Sequence, residues 1–523
     1  LTLGFERALP DLNDNIKCGN SLIGWDYFEG QLMPNEDEVA RVNPFDWEKA
    51  FPEVFTSGAK GGFDAVIGNP PYIKEYTNTE SRLNVRNTKL ERYYQGKMDI
   101  WYIFACLSID LLRVGGYHSF IATNNWITNS GASILRKKIT SDVRIIEFID
   151  FIDFHVFKSV GIQTMIYVLQ KTNKIIENKI LYRKIENPDV PKNRVENFLR
   201  NNMAEPDFSS FYVDQKKIKT DGRIFTFNPI EDEKILEKIN NPSYYKLKKT
   251  EVAQGIVLPQ ESVLKGHLRK IKDKEIKIGD GIFTLSHEEL RNLLLSNSEK
   301  KIIKPFYTSK QLDRYYADPQ NDVWIIYSDK DVCRQIDEYP NIKEHLNKFS
   351  SVITSDNKPY GLHRSRNEFF FIGKKIISIR KTDKPKFSYV EFPCYVSQTF
   401  YIIKPKNVNL KFLLGILNSK TIFYWLSKKG KKQGNALQID KGPLLSIPIR
   451  LLNPTKIDDT ELHNRMISLV DHMLDLQKRL PKTPFEQEQL EREITATDAQ
   501  IDRLVYDLYG LTEEEIKIVE GEN

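Results

Sequence analysis

Between Phe63 and Tyr72 the chain passes abruptly from apolar to turn-forming residues. Ala65 to Ile67 form a short, β-branched apolar run, which predicts a buried strand, and Gly68 with Pro70-Pro71 ends it. Downstream, the spacing of Trp101, Phe104, Leu107, Ile109 and Leu111 predicts a helix over 99–112, stopped at Gly115-Gly116. A strand over 117–122, a helix over 131–138 and strands over 143–152 and 164–169 follow. This strand and helix rhythm is that of an α/β fold with parallel strands. Upstream, a short strand over 16–18 and a turn at Gly19-Asn20 are expected.

From Lys171 to Ser243 the pattern turns polar, with breaks at Asn187-Pro188 and Glu205-Pro206 and a helix over 231–239, and it reads as a domain edge and connector. Beyond Tyr244, short strands such as 324–327, 375–379 and 401–403 alternate with turn residues, predicting a mixed α+β region. The end is helical. Leu462, Met466, Leu469, Val470, Met473 and Leu476 keep helix spacing, Pro481 and Pro484 interrupt it, and Leu490, Ile494, Ile501, Leu504, Val505 and Leu508 resume it as the second arm of a hairpin. The boundaries implied are 1–243, 244–455 and 456–523, and 523 residues suit about three domains at roughly 150 each.

Composition narrows the picture slightly. With 77 Lys plus Arg against 71 Asp plus Glu, the net charge is only +6, so any polyanion surface must come from local clustering. The four cysteines are scattered, which argues against a zinc cluster or disulfide framework and for core thiols in a reducing compartment. No apolar run approaches the roughly 18 residues a membrane span needs. A cytoplasmic location is expected.

The chemistry suggested by Asn69-Pro70-Pro71-Tyr72 is the activation of a planar amine. Such an amine is a poor nucleophile because its lone pair is delocalised. Two acceptors, the Asn69 side-chain carbonyl and the Pro70 backbone carbonyl, would hold its hydrogens and favour the tetrahedral form, while Tyr72 stacks on the attached ring. Proline suits this position because it has no N–H and a fixed φ.

Asn69-Pro-Pro-Tyr72 after an apolar strand resembles motif IV of the S-adenosylmethionine-dependent amino-methyltransferases, and the chain resembles the later part of a Type IIG restriction-modification enzyme. The resemblance implies a partial Rossmann-like class I methyltransferase sheet. It also implies that Asn20, in a segment similar to motif III, contacts the cofactor together with Asn69. Gly115 to Trp126 is similar to motifs V and VI, and the match makes Phe104 a cofactor contact; periodicity alone makes it a core residue. His155 to Ile162 is similar to motif VIII, so Phe157 would stack on an extruded base opposite Tyr72. The family's Gly-rich cofactor loop has no counterpart here. An N-terminal methyltransferase segment or subunit, with any nuclease, is therefore expected outside this chain. Pro206-Asp207 with Asp232-Glu-Lys234 fits a nuclease pattern only as chance allows, and no metal ligand set is expected.

Basic residues interleave with aromatics after Tyr244. Lys265, Arg269, Arg364, Arg366, Lys431, Lys432 and Gln433 are the expected contacts to double-stranded DNA, and the pattern from Lys304-Pro-Phe-Tyr through Leu417-Asn-Ser-Lys to Ile447-Pro448 is similar to a Type IIG target-recognition domain. The combined expectation is an adenine-specific DNA methyltransferase half joined to a recognition domain. A non-catalytic DNA-recognition subunit and a protein-glutamine methyltransferase remain as alternatives.

Overall fold

The computed structural model describes residues 12, 14–31, 33–55, 61–74, 85–157, 161–174, 178–201, 206–215, 218, 225, 227–429, 431–433 and 436–521. The chain divides into two compact units, Leu1–Ile230 and Glu231–Asn523.

The first unit is built on a six-stranded sheet of order β1-β2-β4-β3-β5-β6. Its elements are β1 (Phe63–Gly68), α1 (Trp101–Leu111), β2 (Leu112–Thr123), α2 (Ser133–Asp142), β3 (Val143–Asp150), β4 (Thr164–Lys171), β5 (Lys179–Ile185), α3 (Lys192–Asn201) and β6 (Phe208–Asp214). β1 runs parallel to β2, and β3 to β5, while β4 and β6 run against their neighbours. The carboxyl ends of β1, β2, β3 and β5 therefore share one rim. Trp101, Ile109, Leu135 and Ile139 of α1 and α2 pack with Phe120, Phe148 and Tyr167 in one core. Val195 and Phe198 of α3 pack with Ile149 and Ile185 in another.

Four expectations change. The Ala65–Ile67 strand is an edge strand, with Ala65 exposed and Ile67 86% exposed, because no described strand pairs with its outer side. Gly115-Gly116 does not stop a helix, since α1 passes directly into β2 at Leu112. The glycines instead form a bulge between the Phe63–Leu112 and Ala65–Tyr117 pairs; Gly115 has φ +86°, and a Cβ on Gly116 would lie 2.8 Å from the Phe63 carbonyl oxygen. Residues 16–18 form no strand, and Asn20 makes only an isolated bridge to Pro44. The supposed connector contains β5, α3 and β6, which extend the sheet.

The second unit begins with α4 (Ile230–Ile239) and carries β7 (Val252–Gln254), β8 (Thr284–Ser286), α5 (Asn297–Ile302), β9 (Ile303–Tyr307), β10 (Tyr315–Tyr316), β11 (Val323–Ile326) and α6 (Pro340–Lys348). After these come β12 (Lys375–Ile379), β13 (Lys381–Thr382), β14 (Phe387–Val390), β15 (Tyr395–Val396), β16 (Phe400–Ile403), α7 (Leu410–Asn418), α8 (Lys420–Lys429), β17 (Lys431–Gln433) and β18 (Ala436–Gln438). The strands form sheets of order β10-β14-β12-β16-β7, β15-β9-β11-β8 and β13-β18-β17. The helices α9 (Ile457–Gln477) and α10 (Pro484–Tyr509) form the expected hairpin, followed by α11 (Glu513–Glu520). Met466, Val470, Ile501 and Val505 of the hairpin share one core with Ile235 and Leu236 of α4 and with Leu413 and Leu417 of α7. Cys106 and Cys394 are buried thiols, whereas Cys18 is exposed. No described helix is long and apolar enough to cross a membrane.

Candidate active site and nucleic-acid interface

The rim of the first sheet gathers the motif residues. β1 delivers Asn69 just past Gly68, where a Cβ would sit 3.0 Å from the Phe120 ring, so glycine permits the close approach of β1 to β2. Asn69 is exposed and Pro70 is buried. The turn is fixed from both sides. Ile73 N–H donates to the Pro71 carbonyl at 3.1 Å, and Ile100 N–H, at the start of α1, donates to Ile73 O at 2.9 Å.

Tyr72 is half-buried, with its ring packed on the core around Trp101. Its hydroxyl lies 2.8 Å from Asn69 Oδ1 and 2.8 Å from the Ile121 carbonyl oxygen. Burial pushes the phenol up to about 12, so it keeps its proton at neutral pH.

Phe157 lies half-buried on the loop that leaves the carboxyl end of β3, hence on the same rim as Asn69. That loop is anchored by Phe154, stacked on Phe151 with ring centroids 6.3 Å apart, and by Gln163, which donates to Asp153 at 2.6 Å. Phe104 is half-buried on α1 against the core. Asn20 accepts from Leu22 N–H at 3.2 Å, a local turn bond.

Two rim residues escaped sequence reasoning. Asn124, after β2, donates to Asp150 Oδ1 at 3.1 Å, and Asp150 also accepts from Tyr182 Oη at 2.9 Å and Ile152 N–H at 3.0 Å. Asp150 is 5% exposed, and burial raises its pKa against these three donors. Asn124 lies in the stretch similar to motifs V and VI but was given no role there, and for Asp150 the sequence signal was an acid at the end of an apolar strand.

In the second unit, Glu261, Thr308, Ser309, Arg380, Lys381, Thr399 and Gln438 line a cleft of about 520 Å³. Glu261, Ser397 and Thr399 also line a neighbouring recess walled by Leu264 and His267. The cleft thus connects the Lys265 and Arg269 loop, where both side chains are exposed, with the β17–β18 hairpin. Lys431, Lys432 and Gln433 form β17, but their side chains lie outside the described set. Asp440 orients two cleft residues, accepting from Arg380 Nε at 2.8 Å and from Gln438 Nε2 at 2.8 Å. Arg364 is exposed in a separate recess that includes Arg366. Arg366 donates to Gly255 O at 3.1 Å and Gln254 Oε1 at 3.2 Å, so part of its guanidinium serves the fold. Sequence reasoning missed Arg380, Lys381 and Gln438, whose separation in the chain hid the cluster. Among the described residues no group of His, Cys, Asp or Glu is arranged to hold a metal ion.

Residues 5–157 match the Eco57I restriction-modification methylase family, and residues 304–449 match the TaqI-like C-terminal specificity domain. Over these two regions the chain is similar to Type IIG-like restriction-modification methyltransferases. The Type II methyltransferase M.HincII of Haemophilus influenzae is 25% identical, over 79% of this chain and 79% of its own length. The Type II restriction enzyme and methyltransferase RM.Eco57I of Escherichia coli is 25% identical over 96% of this chain, which spans 50% of that relative. The Type IIL restriction-modification enzyme MmeI, solved in complex with DNA, shares the fold with a TM-score of 0.57 at 12% identity, over 91% of this chain and 58% of that one.

Proposed function

We propose that this chain methylates the 6-amino group of an extruded adenine in duplex DNA, with residues before Glu231 as the catalytic half and those after it as the recognition part. The observation that carries this reading is the exposed Asn69 amide at the carboxyl end of β1, on the rim from which the Phe157 loop rises. Open α/β sheets bind ligands at that end.

In this reading the Asn69 and Pro70 carbonyls accept the two amine hydrogens, localising the nitrogen lone pair. The rings of Tyr72 and Phe157 replace the stacking that the base loses on leaving the duplex. Positioning and electrostatics supply the rate, with no covalent intermediate. S-adenosylmethionine supplies the methyl group when bound. The residues present fit one side of it: Asn69 is exposed on the rim, Phe104 offers a half-buried ring, and Asn20 keeps its Nδ2 free of the Leu22 bond. The other side is proposed to come from an N-terminal segment or partner chain that pairs with the uncovered edge of β1. The cleft around Arg380 and Gln438, flanked by the Lys265 and Arg269 loop, is proposed to meet DNA, with Arg364 as a further contact.

Methyl transfer from labelled S-adenosylmethionine to unmethylated duplex tests the reading, with this chain alone and with the missing half restored. Label on adenine in the restored enzyme supports it. DNA binding without label in either case would instead support a non-catalytic recognition subunit.

A further inference from the structure

The hydrogen bonds around Tyr72 pose a question of proton count. Its hydroxyl oxygen lies 2.8 Å from Asn69 Oδ1 and 2.8 Å from the Ile121 carbonyl oxygen. A phenol carries one hydrogen and an amide or peptide carbonyl none, so the hydroxyl can donate to only one of these oxygens. The other would face a lone pair at hydrogen-bond distance.

The two acceptors differ in freedom. Ile121 belongs to β2, is paired with Ile166 of β4, and cannot turn its carbonyl. It also lies one residue beyond Gly68↔Phe120, the last paired position of β1 and β2, so no β1 amide serves it there. A carbonyl left without a donor costs about 1–3 kcal/mol when desolvated. The Asn69 amide, in contrast, exchanges its oxygen and nitrogen by a half-turn about its last torsion, with almost no change of shape.

We propose that Asn69 adopts the turned orientation, in which its Nδ2 donates to the Tyr72 hydroxyl oxygen while that hydroxyl donates to the Ile121 carbonyl. Every group in the chain Asn69, Tyr72, Ile121 is then satisfied. The Asn69 carbonyl oxygen faces away from the phenol, toward the exposed side of the rim. Tyr72 is thus a positioning residue through its hydroxyl, in addition to any stacking by its ring. The high phenol pKa keeps the relay proton in place at neutral pH. The orientation stands on geometry alone, whereas its value for catalysis rests on Asn69 being the acceptor for the target amine.

The test has two arms. In the full chain labelled with ¹⁵N-asparagine, loss of one amide pair in Asn69→Asp identifies the Asn69 Nδ2 protons. They are expected to show a cross-relaxation contact with the Tyr72 ring in the unmodified chain, and to move upfield and exchange faster with water in Tyr72→Phe. Absence of the ring contact, or a pair unmoved by Tyr72→Phe in a chain whose other resonances hold, overturns the orientation. In the restored enzyme, Tyr72→Phe is expected to lower kcat by about 10-fold with KM for duplex unchanged, and the double variant with Asn69→Ala to be no slower than Asn69→Ala alone. An unchanged kcat overturns the positioning role. If the unmodified restored enzyme transfers no methyl group while the amide signature persists, the proposed function fails and the orientation stands.

Discussion

The side-chain amide of Asn124 donates to Asp150 at 3.1 Å, joining the carboxyl ends of β2 and β3 across the intervening β4. The loop bearing Phe157 begins at the next residue, so this bond sets the base of that loop. Asp150→Ala leaves three donors without their acceptor and is expected to cost about 3 kcal/mol. Urea unfolding measures the loss. With 2-aminopurine at the target position, the fluorescence rise on binding should also shrink; an undiminished rise would show that the loop does not depend on Asp150.

Asn69→Ala removes the side-chain acceptor from an exposed position and should leave the fold intact. A fall in kcat of about 10²-fold or more is expected, with duplex affinity nearly unchanged. Single-turnover transfer and a filter-binding titration separate the two. Transfer at the unmodified rate would refute the assignment of the amine site.

His118 is fully buried on β2, stacked on Tyr167, and neither ring nitrogen has a partner. Burial lowers its pKa to about 3, against 6.5 when unfolded. Between those values the unfolded chain binds a proton that the folded chain does not. Stability should therefore fall as pH drops below 6.5, by about 2 kcal/mol at pH 5 from this residue. His118→Phe should abolish that component; urea midpoints at pH 7.5 and pH 5 compare the slopes directly, and identical slopes would remove His118 as the cause.

Glu299 caps two helices with one carboxylate. It closes a capping box with Ser296 on α5 and accepts from Asn341 N–H at 2.7 Å and Ile342 N–H at 3.2 Å at the start of α6. Those donors hold its pKa at about 2, overcoming burial, which opposes them. Because the folded value is the lower one, this stabilisation is complete above pH 4.5 and is lost as pH falls toward 2. Glu299→Ala is expected to cost about 3 kcal/mol. Thermal unfolding at neutral pH should register it, and a loss below about 1 kcal/mol would contradict the double cap.

For the cleft, the expected signatures differ by residue. Arg380→Ala, or Asp440→Ala, which releases Arg380, should relax preference at one base position by about 1–3 kcal/mol. Lys381→Ala should weaken all duplexes alike and reduce the salt slope by about one unit. Competition binding against a duplex library over a range of salt reads both. Equal effects of Arg380→Ala on all sequences would confine that residue to phosphate contact.

The strands and helices between Tyr117 and Leu169 were legible because each keeps one period over several turns or alternations. The place of Asn69 at a strand end was also legible, from the apolar run and the prolines. The uncovered edge of β1 was not, since a strand's own residues do not say which neighbours it has. Gly115-Gly116 signalled a break, but only the pairing of Phe63 with Leu112 makes that break a bulge. β5 escaped because Lys179 and Lys184 mask the alternation of Ile180 and Tyr182, and β6 because its two buried residues, Phe208 and Val213, face opposite sides of the sheet and show no alternation. Arg380 and Gln438 are neighbours only through the pairing of β13 with β18. Arg366 read as a surface cation, while its left-handed backbone, φ 72°, accompanies a guanidinium bound to Gly255.

The bare flank of β1 also bears on how this polypeptide behaves when handled. Among the described residues no strand covers the outer side of β1, and a strand edge beside an apolar side chain such as Ile67 is a template for another strand. Concentrated alone, the chain should stick to copies of itself along that flank. A lysine at position 67 should keep it dispersed, and should equally obstruct any natural companion that docks there.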